Sequence, residues 1–252
     1  MNSRCLTALP VFNEVQYVGP VLEQVRRHSD EILVVDDGST DGTAAVLSDL
    51  ATRLGIRILT HPRNRGYGAA LQTAFDFAVQ EGYDFLVTID CDGQHEPQRI
   101  PQFVDAAQDA DIVSGSRYLQ PYEGDSEPPA QRRQINQRLT QELNRRLGFR
   151  LTDAFCGFKA YRVSILPQLR TSDSGYAMPL ELWVLAARAG LRVIELPVPL
   201  IYLDESRSFG GSLDDAETRL KYYYEILDRS MVEAGLAGAE SGKKSACGKG
   251  TE

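Results

Sequence analysis

The first 115 residues alternate between strand-like and helix-like segments, and that rhythm restricts the chain to one class of fold. Leu6-Thr7-Ala8-Leu9-Pro10 is a short strand ended by proline, and residues 18–28 follow as an amphipathic helix. Glu31 to Val35 is a β-branched strand, and Gly42 to Leu54 is a helix whose first turn Asp41 is placed to cap. Residues 56–60 are a third strand, and Gly66 to Gln80 a helix. Phe85-Leu86-Val87-Thr88-Ile89 is the most strand-like run and stops at Asp90; a helix near 97–107 and a strand at 111–115 complete the series. This order predicts an α/β domain on a mainly parallel sheet with helices on both faces. Ligands of such sheets collect at the carboxyl ends of the strands. The acidic and glycine-rich clusters fall there, after the second strand and after Ile89.

Beyond residue 115 the rhythm loosens. Residues 119–130 have a loop composition. A helix at 131–147 sets Ile135, Leu139, Leu143 and Leu147 at a spacing of four, among Arg132, Arg133, Arg138, Arg145 and Arg146. Helices at 177–189 and from Asp214 to Arg229, a strand at 192–196 and a loop at 204–212 follow. The expectation is one domain over 1–232, with 233–252, rich in Gly, Ala, Ser and Lys, as a disordered tail. The formal net charge of -8 argues against a nucleic-acid partner. No apolar run reaches the roughly 18–20 residues that cross a bilayer. Met1-Asn2-Ser3-Arg4 leads directly into a strand without the look of a secretory signal, and the four cysteines lack zinc or disulfide spacing. A cytoplasmic location is expected, with any membrane contact peripheral and on the cytoplasmic face.

Asp90-Cys91-Asp92-Gly93-Gln94 is the most informative motif. Two carboxylates two residues apart at a strand end can converge on one hard cation, Mg²⁺ or Mn²⁺, which keeps positions open for substrate phosphates. Gln94 can add a neutral oxygen. The alternative is a plain turn at a strand end. The second cluster, Val34-Val35-Asp36-Asp37-Gly38-Ser39-Thr40-Asp41-Gly42, suits hydrogen bonds to a ribose or a base edge, or equally an Asp-Gly turn followed by a helix cap. Val11-Phe12-Asn13-Glu14 stands where a dinucleotide fold would carry its glycine fingerprint, and no Walker loop is present.

In order along the chain, Ala8-Leu9-Pro10-Val11-Phe12-Asn13-Glu14, the run from Val34 to Thr43, Asn64-Arg65-Gly66-Tyr67-Gly68 and Asp90-Cys91-Asp92-Gly93-Gln94-His95 resemble the family-two glycosyltransferases of the GT-A fold. The likeness is greatest to the dolichol- or polyprenol-phosphate mannose synthase branch. Gly115-Ser116-Arg117, the run from Asp153 to Lys159, Glu195-Leu196-Pro197-Val198 and Arg207-Ser208-Phe209-Gly210-Gly211-Ser212 extend it over about residues 5–230. The resemblance implies that Pro10, Val11, Phe12, Glu14, Val35 and Asp37 line the nucleotide pocket. It implies a metal on Asp90, Asp92 and Gln94 bridging the donor diphosphate, with the Cys91 backbone near the donor. Arg117 and Arg132 match positions for an acceptor phosphate, and Arg207 an arginine on a donor loop, 204–213. Asp92, Arg117 and Arg207 are thus the implied catalytic set.

The implied reaction moves a hexosyl group, mannosyl first, from a nucleotide-diphosphate sugar to a polyprenyl phosphate with inversion. A phosphate monoester is mostly dianionic at neutral pH and needs no general base. A hydroxyl acceptor would need a carboxylate base, for which Glu181 and Asp153 are the acidic candidates. A family member acting on a hydroxyl, and a non-catalytic nucleotide-sugar binding module, stay open as alternatives. Leu213 and Leu185 stand where relatives carry basic residues, Asn136 stands in place of a serine, and Lys221 is a candidate to compensate. The arginine-rich helix at 131–147 suits either an anionic membrane surface or a solvated face. His28, His61 and His95 form no ligand set, and Trp183 is expected in the core.

Overall fold

The computed structural model describes residues 3–203 and 211–237. Seven strands, β1 (Cys5–Val11), β2 (Ile32–Asp36), β3 (Arg57–Thr60), β4 (Phe85–Thr88), β5 (Ile112–Ser116), β6 (Lys159–Arg162) and β7 (Val193–Pro197), form one sheet in the order β3-β2-β1-β4-β6-β5-β7. Six of them run parallel; β6 is antiparallel to both β4 and β5. The helices are α1 (Val18–Arg26), α2 (Thr43–Leu54), α3 (Tyr67–Gln80), α4 (Ile100–Ala106), α5 (Ala130–Leu147), α6 (Met178–Arg188) and α7 (Ala216–Glu233). The predicted strands and helices all appear, within a few residues at their ends, while most of the expected loop at 204–212 lies outside the described residues.

β6 was not anticipated. Its four residues, Lys-Ala-Tyr-Arg, carry cationic ends and are too few for a period-two signal, yet burial on both faces makes them a central strand.

Side chains alternate across the sheet and build two cores. Leu6, Ala8, Leu33 and Val35 pack against α3, α5, α6 and α7, while Leu9, Val11, Ile32 and Val34 pack against α1, α2 and α4. Trp183 is fully buried in the first core, its indole N–H donating to the Ala154 carbonyl at 2.9 Å. The chain winds outward from β1 through β2 to β3 and then returns over the opposite face by α3 to place β4 beside β1. That reversal opens a crevice at the carboxyl ends of β1 and β4.

On α5 the apolar stripe is buried as expected: Ile135, Leu139 and Leu143 all sit in the core. Its basic faces are more occupied than composition implied. Arg145 and Arg146 both bind Glu142, and Arg146 also bridges to Asp228 on α7. Among the described residues no helix is long and apolar enough to cross a membrane. α7 runs to Glu233, past its expected end at Arg229, and most of the expected tail, 238–252, lies outside the described residues.

Candidate functional site

A cleft of about 920 Å³ opens along the carboxyl rim of the sheet. Strand order divides it. The loops after β1, β2, β3 and β4 build one wall; the loop after β5, the end of β7 and the amino-terminal ends of α5, α6 and α7 build the other.

The first wall is stitched together by side chain to backbone bonds. Asn13, in the left-handed conformation with φ 56°, donates its N–H to Ser39 Oγ at 2.9 Å and accepts from the Thr40 N–H at 2.8 Å. The Glu14 N–H donates to Thr43 Oγ1 at 2.9 Å, and the Val15 N–H to Asp41 Oδ2 at 3.1 Å. Asp41 Oδ1 also accepts the Thr43 N–H at 3.0 Å, so the expected cap is made at the start of α2. Pro10, Val11, Phe12 and Glu14 line this wall, and Phe12 stands 41% exposed.

Asp37 lines the wall too, but its carboxylate is already engaged. It accepts from the Arg65 N–H at 2.9 Å and the Gly66 N–H at 2.7 Å, and pairs with His61 Nδ1 at 2.6 Å. Asp37 therefore holds the loop leading into α3. Gly66 in that loop has φ 103°, and a Cβ there would collide with the Ser174 carbonyl. Val35 does not line the cleft. It is fully buried in the core under α3, because the period of β2 turns it away from the rim.

Asp90, Cys91, Asp92 and Gln94 follow β4 at the floor. Asp90 accepts from Tyr67 Oη at 3.0 Å and sits 3.1 Å from His95 Nε2. Burial works to raise its pKa; the bonds from His95 and Tyr67, with the charge of buried Lys159, outweigh that and hold it below the ordinary carboxylate value. Gly157 packs so closely that a Cβ would overlap the Asp90 carboxylate. Asp92 Oδ1 accepts the Gln94 N–H at 3.0 Å. The Cys91 side chain is buried in the core beneath, leaving its backbone at the floor.

Asp90, Asp92 and Gln94 thus come together in the cleft. Among the described residues no third acidic, histidine or cysteine ligand joins them. An ionised carboxylate pair plus one amide oxygen fits an octahedral hard cation that completes its shell with phosphate oxygens and water.

The second wall carries arginines. Arg117 is forked onto Asp153, with Nε to Oδ2 at 2.6 Å and Nη2 to Oδ1 at 3.0 Å. Asn136 Nδ2 donates to the same carboxylate at 2.7 Å, and the Phe155 N–H at 3.1 Å. Burial would raise the pKa of Asp153, but the Arg117 charge and these bonds hold it far below the usual range. Arg117 and Arg132 both line the cleft, Arg132 with its guanidinium 5.4 Å from the Tyr202 ring centre. Glu181 accepts from the Ser172 and Asp173 N–H groups at 2.8 and 2.9 Å, so it ties down backbone.

Arg207 lies outside the described residues. Leu213 lines the cleft, whereas Leu185 is buried in the core, so only one of the two expected charge losses concerns the site. Lys221 does not compensate; its side chain is 80% exposed beside Glu225. Sequence reasoning missed Tyr67, Tyr176 and Arg219. Tyr67 lies inside a motif already singled out and stacks on Tyr176 with centroids 5.8 Å apart. Arg219, only 4% exposed, reaches the cleft from α7 with no motif to mark it.

Comparison with known proteins places these features. The profile described as glycosyl transferase family 2 matches residues 7–170. An undecaprenyl-phosphate mannosyltransferase of Micrococcus luteus is 32% identical over 221 residues, 84% of this chain and 90% of that protein. A polyprenol monophosphomannose synthase of Mycolicibacterium smegmatis is 31% identical over 225 residues, 85% and 84% of the two chains. Among solved structures, glucosyl-3-phosphoglycerate synthase from Mycobacterium tuberculosis, in complex with Mn²⁺, UDP and glucosyl-3-phosphoglycerate, gives a TM-score of 0.66 at 19% identity. That match covers 92% of this chain and 80% of the other. Mannosyl-3-phosphoglycerate synthase from Rubrobacter xylanophilus gives 0.67 at 17% identity, covering 96% and 78%. The structural likenesses speak to the fold, which is GT-A.

Proposed function

We propose, from the premise that the chain belongs to glycosyl transferase family 2, that it transfers a hexosyl group, mannosyl first, from a nucleoside-diphosphate sugar to a polyprenyl phosphate. The observation that carries this reading is the polarity of the cleft. Among its described lining residues, Glu14, Asp37, Asp41, Asp90 and Asp92 lie on the first wall, and Arg117, Arg132 and Arg219 on the second. An arginine wall suits an acceptor that arrives as an anion.

The half-exposed Phe12 ring offers a face to the base, and the stitched loops after β1 and β2 fix the nucleoside. Asp90, Asp92 and Gln94 would hold Mg²⁺ or Mn²⁺, which when bound supplies positive charge beside the donor diphosphate. Arg207, which the resemblance places on a donor loop, is a further residue we assign to that diphosphate. Arg132 and Arg117 draw the acceptor phosphate to the second wall. The phosphate oxygen attacks the anomeric carbon, the bond to the departing nucleoside diphosphate breaks, and the configuration inverts.

No residue has to remove a proton, because the second ionisation of a phosphate monoester, pKa about 6, is complete enough at neutral pH. A hydroxyl acceptor fits less well. Asp153 is locked to Arg117 and Glu181 to backbone N–H groups, which leaves neither carboxylate available as a base. The relatives named for polyprenyl-phosphate substrates favour the same acceptor. Work at the cytoplasmic face of a membrane follows from a lipid acceptor, with Arg133 and Arg138 of α5 as its basic contacts.

Purified protein is incubated with GDP-mannose, UDP-glucose or UDP-N-acetylglucosamine, Mg²⁺ or Mn²⁺, and a short polyprenyl phosphate. A lipid-linked sugar formed with one donor, and abolished by chelator, is the expected result. Transfer to a sugar hydroxyl alone would reject the acceptor.

A further inference from the structure

We propose that Lys159 is a positioning residue of the metal site, fixing the backbone bend at Cys156–Gly157 against the Asp90 carboxylate. This rests on the metal site assigned above and adds to it a residue set back from the cleft.

Lys159 opens β6, whose antiparallel register with β4 sets Thr88 opposite Lys159. Two steps further out, past the ends of both strands, Asp90 lies opposite Gly157. The approach is so close that a Cβ on Gly157 would strike both carboxylate oxygens. Where the Gly157 backbone stands therefore decides where Asp90 can stand. Four donors pin this stretch of chain by its carbonyls. Trp183 Nε1 donates to Ala154 at 2.9 Å, Thr88 Oγ1 to Gly157 at 2.9 Å, and the Gly115 N–H to Phe158 at 2.8 Å. Lys159 Nζ donates to Cys156, closing a span of only three residues around the bend itself.

Of the four donors only Lys159 is a cation, and it is buried. Burial pulls its pKa below the ordinary lysine value; Cys156, Asp153 and Asp90 oppose that pull, and Arg117 adds to it. The ammonium also stands 5.3 Å from the Trp183 ring centre. A buried cation is costly to hold where a neutral donor would satisfy one carbonyl. Its place gives the reason. A cavity of about 20 Å³ is lined by Lys159, Gly157 and Tyr67, and the Tyr67 hydroxyl is the one that bonds Asp90. Tyr67 and His95 bond the two Asp90 oxygens and Gly157 backs them. Slack in the bend frees the carboxylate to tilt out of line with Asp92 and Gln94.

The test is Mn²⁺ binding to the full chain with GDP present, read from the EPR signal of the free ion against a GDP blank. Steady-state kinetics with each substrate varied run alongside. Lys159→Met is expected to weaken Mn²⁺ binding about 10- to 100-fold, the range for losing a support behind a metal ligand. The donor KM should rise with it, while the KM for polyprenyl phosphate stays within about twofold. Thr140→Val removes a neutral pin from the same segment, the acceptor of the Ala154 N–H at 3.1 Å. It should leave Mn²⁺ affinity within about twofold of wild type.

Mn²⁺ affinity within about threefold of wild type in a folded Lys159→Met would overturn the proposal. So would an equal loss in Thr140→Val, which would make any loosening of the segment sufficient. Should Lys159→Met not fold, Lys159→Gln keeps a polar end that stops one bond short of the Cys156 carbonyl. It is expected to weaken Mn²⁺ at least about fivefold, and an unchanged value overturns the assignment. Wild-type protein that binds no Mn²⁺ beyond the GDP blank rejects the metal site itself before any variant is compared. Failure to transfer to polyprenyl phosphate rejects the acceptor and leaves the Mn²⁺ comparison standing.

Discussion

The two walls of the cleft are made of opposite charge and ask for different companions. The first carries five carboxylates and no cationic side chain among its described lining residues, and on the proposed function a metal ion lies between them and the donor diphosphate. The second lines the cleft with three arginines, one of them forked onto the buried Asp153 carboxylate behind it, and on the proposed function it is the side that takes a phosphate. On that reading the difference teaches that one cleft can bind two anions by unlike means, a loadable cation on one side and built-in ones on the other. The same reading separates the substrates, since a wall of carboxylates disfavours a bare phosphate.

The largest effects should come from breaking the acidic wall. Asp92→Asn, or Gly157→Ala pressing a methyl into Asp90, is expected to lower transfer about 10³-fold or more, since several kcal/mol of charge stabilisation go with the metal site. Rates with saturating acceptor and titrated Mn²⁺ would measure this. Near-normal turnover in either variant would mean that the carboxylates do not hold the metal.

On the basic wall, Asp153→Asn should act first on stability. It leaves the Arg117 guanidinium without its buried partner, a loss of about 3–5 kcal/mol, or roughly 10 °C in Tm at this chain length. The sign with pH follows from the depressed pKa of Asp153. Its contribution is complete above the unfolded aspartate value of about 3.9 and is lost as pH falls through the folded one. Melting curves of wild type and variant should therefore converge in acid; a gap that widened there would contradict the pairing.

A smaller effect sharpens the contrast between ligand and support. Tyr67→Phe removes one hydrogen bond to Asp90 without touching the ligand set, and apparent Mn²⁺ affinity should fall about tenfold. Calorimetric Mn²⁺ titration in the presence of nucleoside diphosphate reads it. No change would leave His95 as the sufficient support.

Smallest of all, Glu142→Gln on α5, far from both walls, should cost about 1 kcal/mol and leave kinetics alone. Its carboxyl is held down to about 2 by hydrogen bonds and charge from Arg145 and Arg146, partly offset by burial. The stability difference should therefore fade between about pH 4.5 and pH 2.

Much of the first wall was legible in the sequence because it is made of strand ends. A β-branched run that stops at Asp-Asp-Gly or at Asp-Cys-Asp declares both the strand and the rim. The second wall was less legible for reasons that differ by residue. β6 is too short and too polar to show a period. Leu185, a basic position by resemblance, lies on the core side of α6, which helical phase decides and alignment to a motif does not. Asp153 read as a candidate base because its bond to Arg117 spans 36 positions and leaves no local trace. Arg219 and Lys221 are near-twins in the run Thr-Arg-Leu-Lys, and only packing reveals which of them turns inward. Tyr67 could have been found, since a hydroxyl within a glycine-rich motif beside an acidic one is a natural donor.

The segment from Asp153 to Gly157 joins the two walls, binding Arg117 at one end and packing on Asp90 at the other. Four residue steps reach at most about 14 Å when extended, and this stretch includes a turn at Ala154–Phe155, so on the proposed function it keeps the two substrate seats a short, set distance apart. Loops on either flank can then be exchanged to suit a different sugar or a different lipid while the spacing between them is preserved. On that reading, lengthening this stretch by a single amino acid is expected to leave two intact half-sites that no longer meet.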